Sequence, residues 1–282
     1  MSKVWFITGV SRGLGREWAS AALERGDRVA GTARDLAALT DLVTEFPETF
    51  LPLQLNVTDR PADFAAVEEA AQHFGRLDVV VNNAGYMQFG MVEELTEQQI
   101  RGELETNLLG ALWVTQAALP ILRAQGSGHI IQVSSLWGIV ASPNAGAYNA
   151  SKWALEGLSQ SLAAEVSDLG IHVTILEPAS YDTGFKLTQF ATPNPAYSHL
   201  RTTADPSGHP LGDPTSTRTA LLALVDAEKP PLRLLLGQSA LQIVTTEYES
   251  RLALWRGEDS IDRPRHQAVG EDAGEDDEKD QA

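Results

Sequence analysis

The chain predicts an α/β protein: a single doubly wound domain with a parallel sheet of about seven strands and helices on both faces. Three observations carry that expectation. Short apolar runs alternate with longer stretches at helical spacing, several runs are apolar at consecutive positions, and glycines fall at the boundaries. Val4-Trp5-Phe6-Ile7 and Val79-Val80-Val81 are unbroken runs of this kind, which suit parallel strands covered on both faces.

Taken in order, a strand over Val4 to Thr8 leads into a helix over Leu14 to Glu24, which Gly26-Asp27 ends. Arg28 to Ala33 reads as the second strand and Leu36 to Phe46 as its helix. Phe50 to Leu55 and Ala62 to Phe74 form the third pair, and Leu77 to Asn82 with a long helix over Glu97 to Arg123 the fourth. Gly126-Ser127-Gly128 stops that helix before a strand over His129 to Ser134. A helix over Ala147 to Leu169 then ends at Gly170, a strand covers Ile171 to Glu177, and Ser216 to Ala227 with Leu232 to Leu236 closes the β-α-β series. Periodicity lapses from Thr183 to Pro214 around Pro193, Pro195, Pro206 and Pro210, so a lid or substrate loop is expected at about 183–215. Gln238 to Arg256 reads as a further helix over the pocket. One domain therefore covers 1–256, and 257–282 is an acidic tail expected to be disordered, since Glu271 to Asp280 holds seven acids and one lysine.

Composition narrows the function classes. The absence of cysteine excludes disulfides, thiolate metal sites and a cysteine nucleophile. A net charge of −17 argues against nucleic acid or anionic lipid as a partner. No apolar run approaches the roughly 18 residues of a membrane span, and no secretory signal opens the chain, so a cytoplasmic protein is expected. His73, His129, His172, His199, His209 and His266 are scattered without metal-ligand spacing, and no metal is assigned.

Two constellations point to chemistry. The first strand runs into Thr8-Gly9-Val10-Ser11-Arg12-Gly13-Leu14-Gly15 and directly into a helix. Glycines at such a turn let backbone N–H groups and the positive helix end approach a pyrophosphate, although the same residues also suit a plain glycine-rich turn. At the end of the second strand Ala33 stands where an acid would bind the ribose hydroxyls of NAD, and Arg34 follows. With Arg12 this offers two guanidiniums for the 2′-phosphate of NADP(H); the alternative is a pair of solvated surface charges.

In the second half, Tyr148-Asn149-Ala150-Ser151-Lys152 places a tyrosine and a lysine four apart on one helix face. Free tyrosine titrates near 10, and a nearby ammonium is expected to lower that value toward useful acid/base catalysis. Ser135, at the C-terminal end of the fifth strand, is placed to hydrogen-bond a reacting oxygen. Asn107, a poor residue for a helix interior, either caps backbone locally or holds a water in line with Lys152.

These residues resemble the short-chain dehydrogenase/reductase family in its NADP(H)-preferring form. The likeness runs from Lys3 to about Gly237 and rests on the glycine turn, Asn82-Asn83-Ala84-Gly85, Asn107, Ser135, Tyr148-x-x-x-Lys152 and Pro178-Ala179-x-x-x-Thr183. It implies a Rossmann-like fold and interconversion of an alcohol and a carbonyl by hydride transfer. Tyr148 would be the acid/base and Ser135 the group orienting the carbonyl. Lys152 would tune the tyrosine and hold the nicotinamide ribose, and Asn107 would anchor a relay water. It also implies that Gly9, Ser11, Arg12, Gly13, Leu14 and Gly15 surround the pyrophosphate and adenosine ribose, Arg34 the 2′-phosphate, and Asn56 and Val57 the adenine. Asn83, Ala84 and Gly85 would line the nicotinamide. Pro178, Ala179, Ser180, Tyr181 and Thr183 would close over it, with Ala179 departing from the family's usual glycine. A homodimer or homotetramer is implied through the two long helices. Met87, Phe89, Trp137, Asn144, Tyr181 and Phe185 are expected to face a hydrophobic ketone, aldehyde or alcohol, or to be ordinary core and lid residues. The competing reading is a non-catalytic NADP(H)-binding redox sensor, against which the complete Asn107, Ser135, Tyr148 and Lys152 set speaks.

Overall fold

The computed structural model describes residues 2–183, 190–201 and 211–257. Seven strands form one parallel sheet: β1 (Val4–Ile7), β2 (Arg28–Ala33), β3 (Phe50–Gln54), β4 (Val79–Asn82), β5 (Gly128–Val133), β6 (Ile171–Pro178) and β7 (Arg233–Leu236). Their order is β3-β2-β1-β4-β5-β6-β7, so the sheet winds outward in both directions from the β1–β4 pair. The C-terminal ends of those two strands are the switch point at which doubly wound sheets bind ligands.

Residues of β1 alternate between two cores. Val4 and Phe6 pack with Val67, Val114, Leu122 and Leu162 on one face, and Trp5 and Ile7 with Trp18, Leu42, Leu221 and Leu224 on the other. The helices supplying these layers are α1 (Gly13–Glu24), α2 (Thr40–Glu45), α3 (Arg60–Phe74), α4 (Glu97–Leu104), α5 (Ala111–Gln125), α6 (Gly146–Val166) and α7 (Arg218–Asp226), followed by α8 (Ala240–Arg256). Local chemistry sets their ends. Asp59 caps α3 by accepting from Ala62 N at 3.2 Å, and the left-handed Gly75 and Gly126 stop α3 and α5.

The expected helix over Leu36 to Phe46 is a 3-10 turn, Leu36–Leu39, followed by α2. The long helix expected over Glu97 to Arg123 is interrupted by a π-helical stretch, Glu105–Gly110. Asn107 lies in it with its side chain turned onto neighbouring segments, and Gly110 lies so close to Val57 that a Cβ there would be 2.7 Å from the Val57 side chain. Packing on both sides therefore overrides the regular helical ladder.

The chain divides into two units, Met1–Val244 and Thr245–Ala282. The sheet and every residue discussed at the site belong to the first. Within the second, Glu247 accepts from Arg251 at 2.7 Å along the end of α8. The expected acidic tail falls, apart from Gly257, outside the described residues.

Candidate active site

The glycine turn occupies the switch point. Gly9 and Gly13 have φ of 74° and 62°, a region that side chains disfavour. A Cβ on Gly13 would meet Thr183 Cβ at 2.9 Å, so the segment after β6 closes on the turn. A Cβ on Gly15 would come within 2.3 Å of Asn83 Nδ2. That amide donates to Thr8 O at 2.9 Å and Gly9 O at 3.0 Å, while Thr8 Oγ1 accepts from the backbone of Asn83 and Ala84 at 2.9 Å each. Asn83 thus braces the turn with its side chain. The result is a half-buried glycine cradle at the N-terminus of α1, with Ser11 and Arg12 exposed at its lip, which fits a pyrophosphate.

Arg12 and Arg34 are both exposed, and neither forms an ion pair among the described residues. Arg16, on the same helix, is by contrast paired with Asp41. Asn56 is exposed beyond β3, whereas Val57 is buried against Gly110. Ser11 is exposed, Gly85 is exposed and Leu14 packs into the core beside α1.

At the C-terminal edge of β5, Ser135 Oγ accepts from Trp137 N at 3.1 Å and begins a 3-10 turn. The neighbour of Tyr148 in sequence, Asn149, donates to Trp137 O at 2.7 Å and Val140 O at 3.0 Å, tying that turn to α6. Ser135, at the start of that turn, and Tyr148, in the first turn of α6, are thereby held at the same edge of the sheet. Lys152 Nζ lies 5.6 Å from the Tyr148 ring centre and donates to Val133 O at 2.8 Å. Asn107 Oδ1 accepts from Tyr86 N at 3.0 Å, and its Nδ2 donates to Tyr86 O at 2.8 Å and Ser151 Oγ at 3.1 Å. All four residues therefore meet around one strand edge. The side chain of Asn107 is engaged with protein, so it fixes the β4–α4 loop against α6 as well as facing Lys152.

The expected lowering of the tyrosine by Lys152 is not what the protein's own groups produce. Burial pushes the Tyr148 phenol up to about 12 against the hydrogen bond with Ser135, and the Glu103 carboxylate adds to the rise. Burial likewise brings the Lys152 ammonium down to about 8, with Glu103 and then Glu156 opposing. Desolvation outweighs pairwise attraction in this part of the site.

Among the residues expected to face a substrate, the Trp137 ring stands edge-on to Tyr148 at 6.1 Å between centres. Phe89 is buried and stacks on Phe190 at 5.6 Å. Met87 and Tyr181 are half-buried, and Tyr181 pairs with Gly212 along the 180–183 segment. Asn144 is held at φ 68°, and its Oδ1 is buried without a hydrogen-bond partner among the described residues. Phe185 lies outside the described residues. Ala179, where the family usually has glycine, faces Gly237: a Cβ on that glycine would be 2.8 Å from the alanine methyl. The room lost at one position is regained at the other.

Sequence reasoning missed Glu103, Asn149 and Phe190. Glu103 alone carried a signal, since it precedes Asn107 by one helical turn on the same face. The others act through contacts across the fold.

Comparison with known proteins agrees with this architecture. A family model described as short chain dehydrogenase matches residues 3–194. "Oxidoreductase BOA17" of Botryotinia fuckeliana (strain B05.10) is 41% identical over 250 residues, covering 86% of this chain and 91% of that one. A short-chain dehydrogenase structure from Streptomyces avermitilis superposes with a TM-score of 0.85 at 40% identity, covering 91% of this chain and 96% of that one. The alcohol dehydrogenase of the archaeon Thermococcus sibiricus, complexed with 5-hydroxy-NADP, has a TM-score of 0.71 at 26% identity and covers 84% of this chain and 96% of its own. Sheet, switch-point cradle and matches together define an oxidoreductase that uses a nicotinamide cofactor. The chain belongs to the short-chain dehydrogenase family.

Proposed function

We propose that the protein is an NADP(H)-dependent oxidoreductase that interconverts a hydrophobic alcohol and its ketone or aldehyde, with Tyr148 as general acid/base. The observation that carries this reading is the convergence of Ser135, Tyr148 and Lys152 at the edge of β5, beside a glycine cradle and two arginines that form no ion pair among the described residues. The bound nicotinamide supplies or accepts the hydride. In reduction, the Ser135 hydroxyl orients the carbonyl oxygen and Tyr148 O–H gives it a proton; oxidation reverses both steps. Lys152, held by Val133 O with its ammonium 5.6 Å from the Tyr148 ring centre, would hold the nicotinamide ribose. Asn107 keeps the loop after β4 in register with α6, and a relay water there would sit on main chain of the π-helical stretch, because the amide is taken up by Tyr86 and Ser151.

The cradle suits the pyrophosphate, with Gly9, Gly13 and Gly15 keeping side chains out and Thr183 closing from the segment Pro178 to Thr183. Arg12 and Arg34 meet the 2′-phosphate, and the archaeal relative in complex with an NADP derivative supports that choice. Trp137 and Phe89 favour an apolar substrate.

The test follows NADPH oxidation by absorbance over aliphatic, aromatic, steroidal and quinone carbonyls, with NADH in parallel. Turnover is expected with NADPH and falls by at least about a hundredfold in Tyr148→Phe. A variant that keeps full activity removes the assignment of Tyr148. Arg12→Ala and Arg34→Ala are each expected to weaken NADPH binding by roughly 10- to 100-fold, the worth of a charge-assisted hydrogen bond, and to leave NADH binding unchanged. Equal losses for both cofactors overturn the 2′-phosphate reading.

A further inference from the structure

The loop after β4 is tied to the segment 190–201 by contacts that the chemistry above does not use. Phe89 pairs with Phe190, and Gly90 with Ala145, as isolated parallel bridges. Ala191 N donates to Phe89 O at 2.7 Å and Gly90 N to Asn144 O at 3.0 Å. Three short extended pieces therefore lie side by side, and the one that ends at Ala145 runs directly into the first turn of α6, where Tyr148 stands. At ordinary strand spacing the backbone of Phe190 is roughly 10 Å from that of Ala145. Gly90, in the middle, has no room for a side chain: a Cβ there would lie 2.6 Å from Ala191 Cβ and 2.8 Å from Leu95.

Glu94 anchors this arrangement from a side chain that is only 2% exposed. Its Oε2 accepts from Met91 N at 2.8 Å on its own loop, and its Oε1 accepts from Asn194 N at 2.6 Å on the facing segment. The same Oε1 pairs with Arg201 at the far end of that segment. Glu93 adds a bond, accepting from Asn194 Nδ2 at 2.6 Å, and Asn194 Oδ1 accepts from Ala196 N at 3.0 Å to open the 3-10 turn Pro195–Leu200 that carries the chain to Arg201. The hydrogen bond from Arg201, against burial, holds the Glu94 carboxyl down at about 2, so the pair is charged at neutral pH. A carboxylate sunk between two segments and bonded to the main chain of both fixes them far more firmly than an exposed surface pair does. What it fixes is Phe190, whose ring stacks on the buried Phe89 at 5.6 Å and yet is 56% exposed. A large apolar ring held on a rigid support and left open to solvent is a stacking surface.

We propose that Glu94, through Arg201 and Asn194, is a positioning residue for the substrate: it clamps the segment 190–201 to the loop after β4 and so sets Phe190 as the wall on which an aromatic group of the carbonyl substrate stacks. This deepens the reading under Proposed function and rests on it. Glu94→Gln keeps the size of the side chain and loses its charge.

The clamp is read first without substrate. The chain has eight phenylalanines, so protein carrying 4-fluorophenylalanine can be followed by fluorine NMR, with Phe190→Leu giving the assignment. The Phe190 resonance is expected to move toward that of free fluorophenylalanine in Glu94→Gln, and a resonance that stays in place overturns the proposal. Kinetics with NADPH then compare an aryl ketone, acetophenone, with a small aliphatic one, acetone. Wild type is expected to prefer acetophenone, and in Glu94→Gln that preference, as a ratio of kcat/KM, falls by roughly 3- to 10-fold, the worth of one aromatic contact, with the loss in KM for acetophenone rather than in kcat. A wild type without the preference, or a ratio that does not change while the resonance moves, leaves a clamp that only supports the fold and overturns the proposal. If Glu94→Gln does not fold, Arg201→Met opens the clamp from its more exposed end and is expected to give the same two changes, with Arg201→Lys restoring most of the preference. A wild type that turns over no carbonyl removes the enzymatic reading and this proposal together. One that turns over both ketones with an unchanged ratio in the variants removes this proposal alone.

Discussion

Asp63 shows how a single residue ties stability to pH. It lies in the first turn of α3, wholly buried, and neither carboxyl oxygen has a hydrogen-bond partner. Burial, with the charge of Asp59 adding to it, pushes its carboxyl up to about 8. The folded protein therefore holds a proton that the unfolded chain has already released over the interval from about 4 to about 8. Stability from this group is complete at acid pH, declines as pH rises through that interval and is level above it. Asp63→Asn cannot lose the proton, so the variant is expected to gain on wild type as pH is raised from 5 to 8. Urea midpoints at the two pH values read the difference directly; a constant gap between wild type and variant would refute it.

At the level of elements, β6, β7 and α6 are joined by one arginine. Arg233 on β7 donates to Glu177 of β6 at 2.6 Å and to Gln160 of α6 at 3.2 Å, and it also binds Glu156 of α6. Both glutamates are buried, and burial raises both carboxyls, Glu177 to about 7. Removing the cation leaves two unpaired carboxylates in the interior. Since the Arg233 side chain is 36% exposed, the penalty for a broken buried pair is discounted to about 1–3 kcal/mol for Arg233→Met at pH 8. At pH 5 Glu177, raised to about 7, takes up a proton and the loss shrinks. Thermal or urea unfolding at both pH values checks this, and a loss that is larger at pH 5 contradicts it. The same region shows why element boundaries in the sequence mislead. Nothing in the apolar periodicity of Glu97 to Arg123 announces the π-helical stretch, which arises because Asn107 bonds Tyr86 and Ser151 while Gly110 seats Val57.

Across the whole molecule, the proposed cofactor would bridge segments far apart in sequence: the turn after β1, the end of β2, the loop after β4 and the segment after β6. A ligand that holds such segments together binds the native chain alone. NADPH at a hundred times its dissociation constant is expected to stabilise the protein by about 2.7 kcal/mol. That corresponds to a rise of roughly 5–10 °C in Tm for a domain of this size. NADH at the same concentration is expected to raise Tm by much less, since it lacks the phosphate proposed to meet Arg12 and Arg34. Equal shifts in differential scanning fluorimetry would count against the NADP preference.

The sequence by itself determined the sheet, because seven apolar runs with helical stretches between them have no other way to bury Val4 to Ile7 and Val79 to Val81 on both sides. It also displayed the glycine turn and the Tyr148-x-x-x-Lys152 spacing, since those are local: a tight turn and one helix face are written in neighbouring residues. Tertiary structure decided the rest. Only packing sets Glu103 against the backbone of Gln88, engages the amide of Asn107, and lets Gly237 make room for Ala179. Only burial decides that Tyr148 is raised and Lys152 lowered. Desolvation depends on what surrounds a group in three dimensions, and that neighbourhood is assembled from residues far apart in the chain, where sequence spacing carries no trace of it.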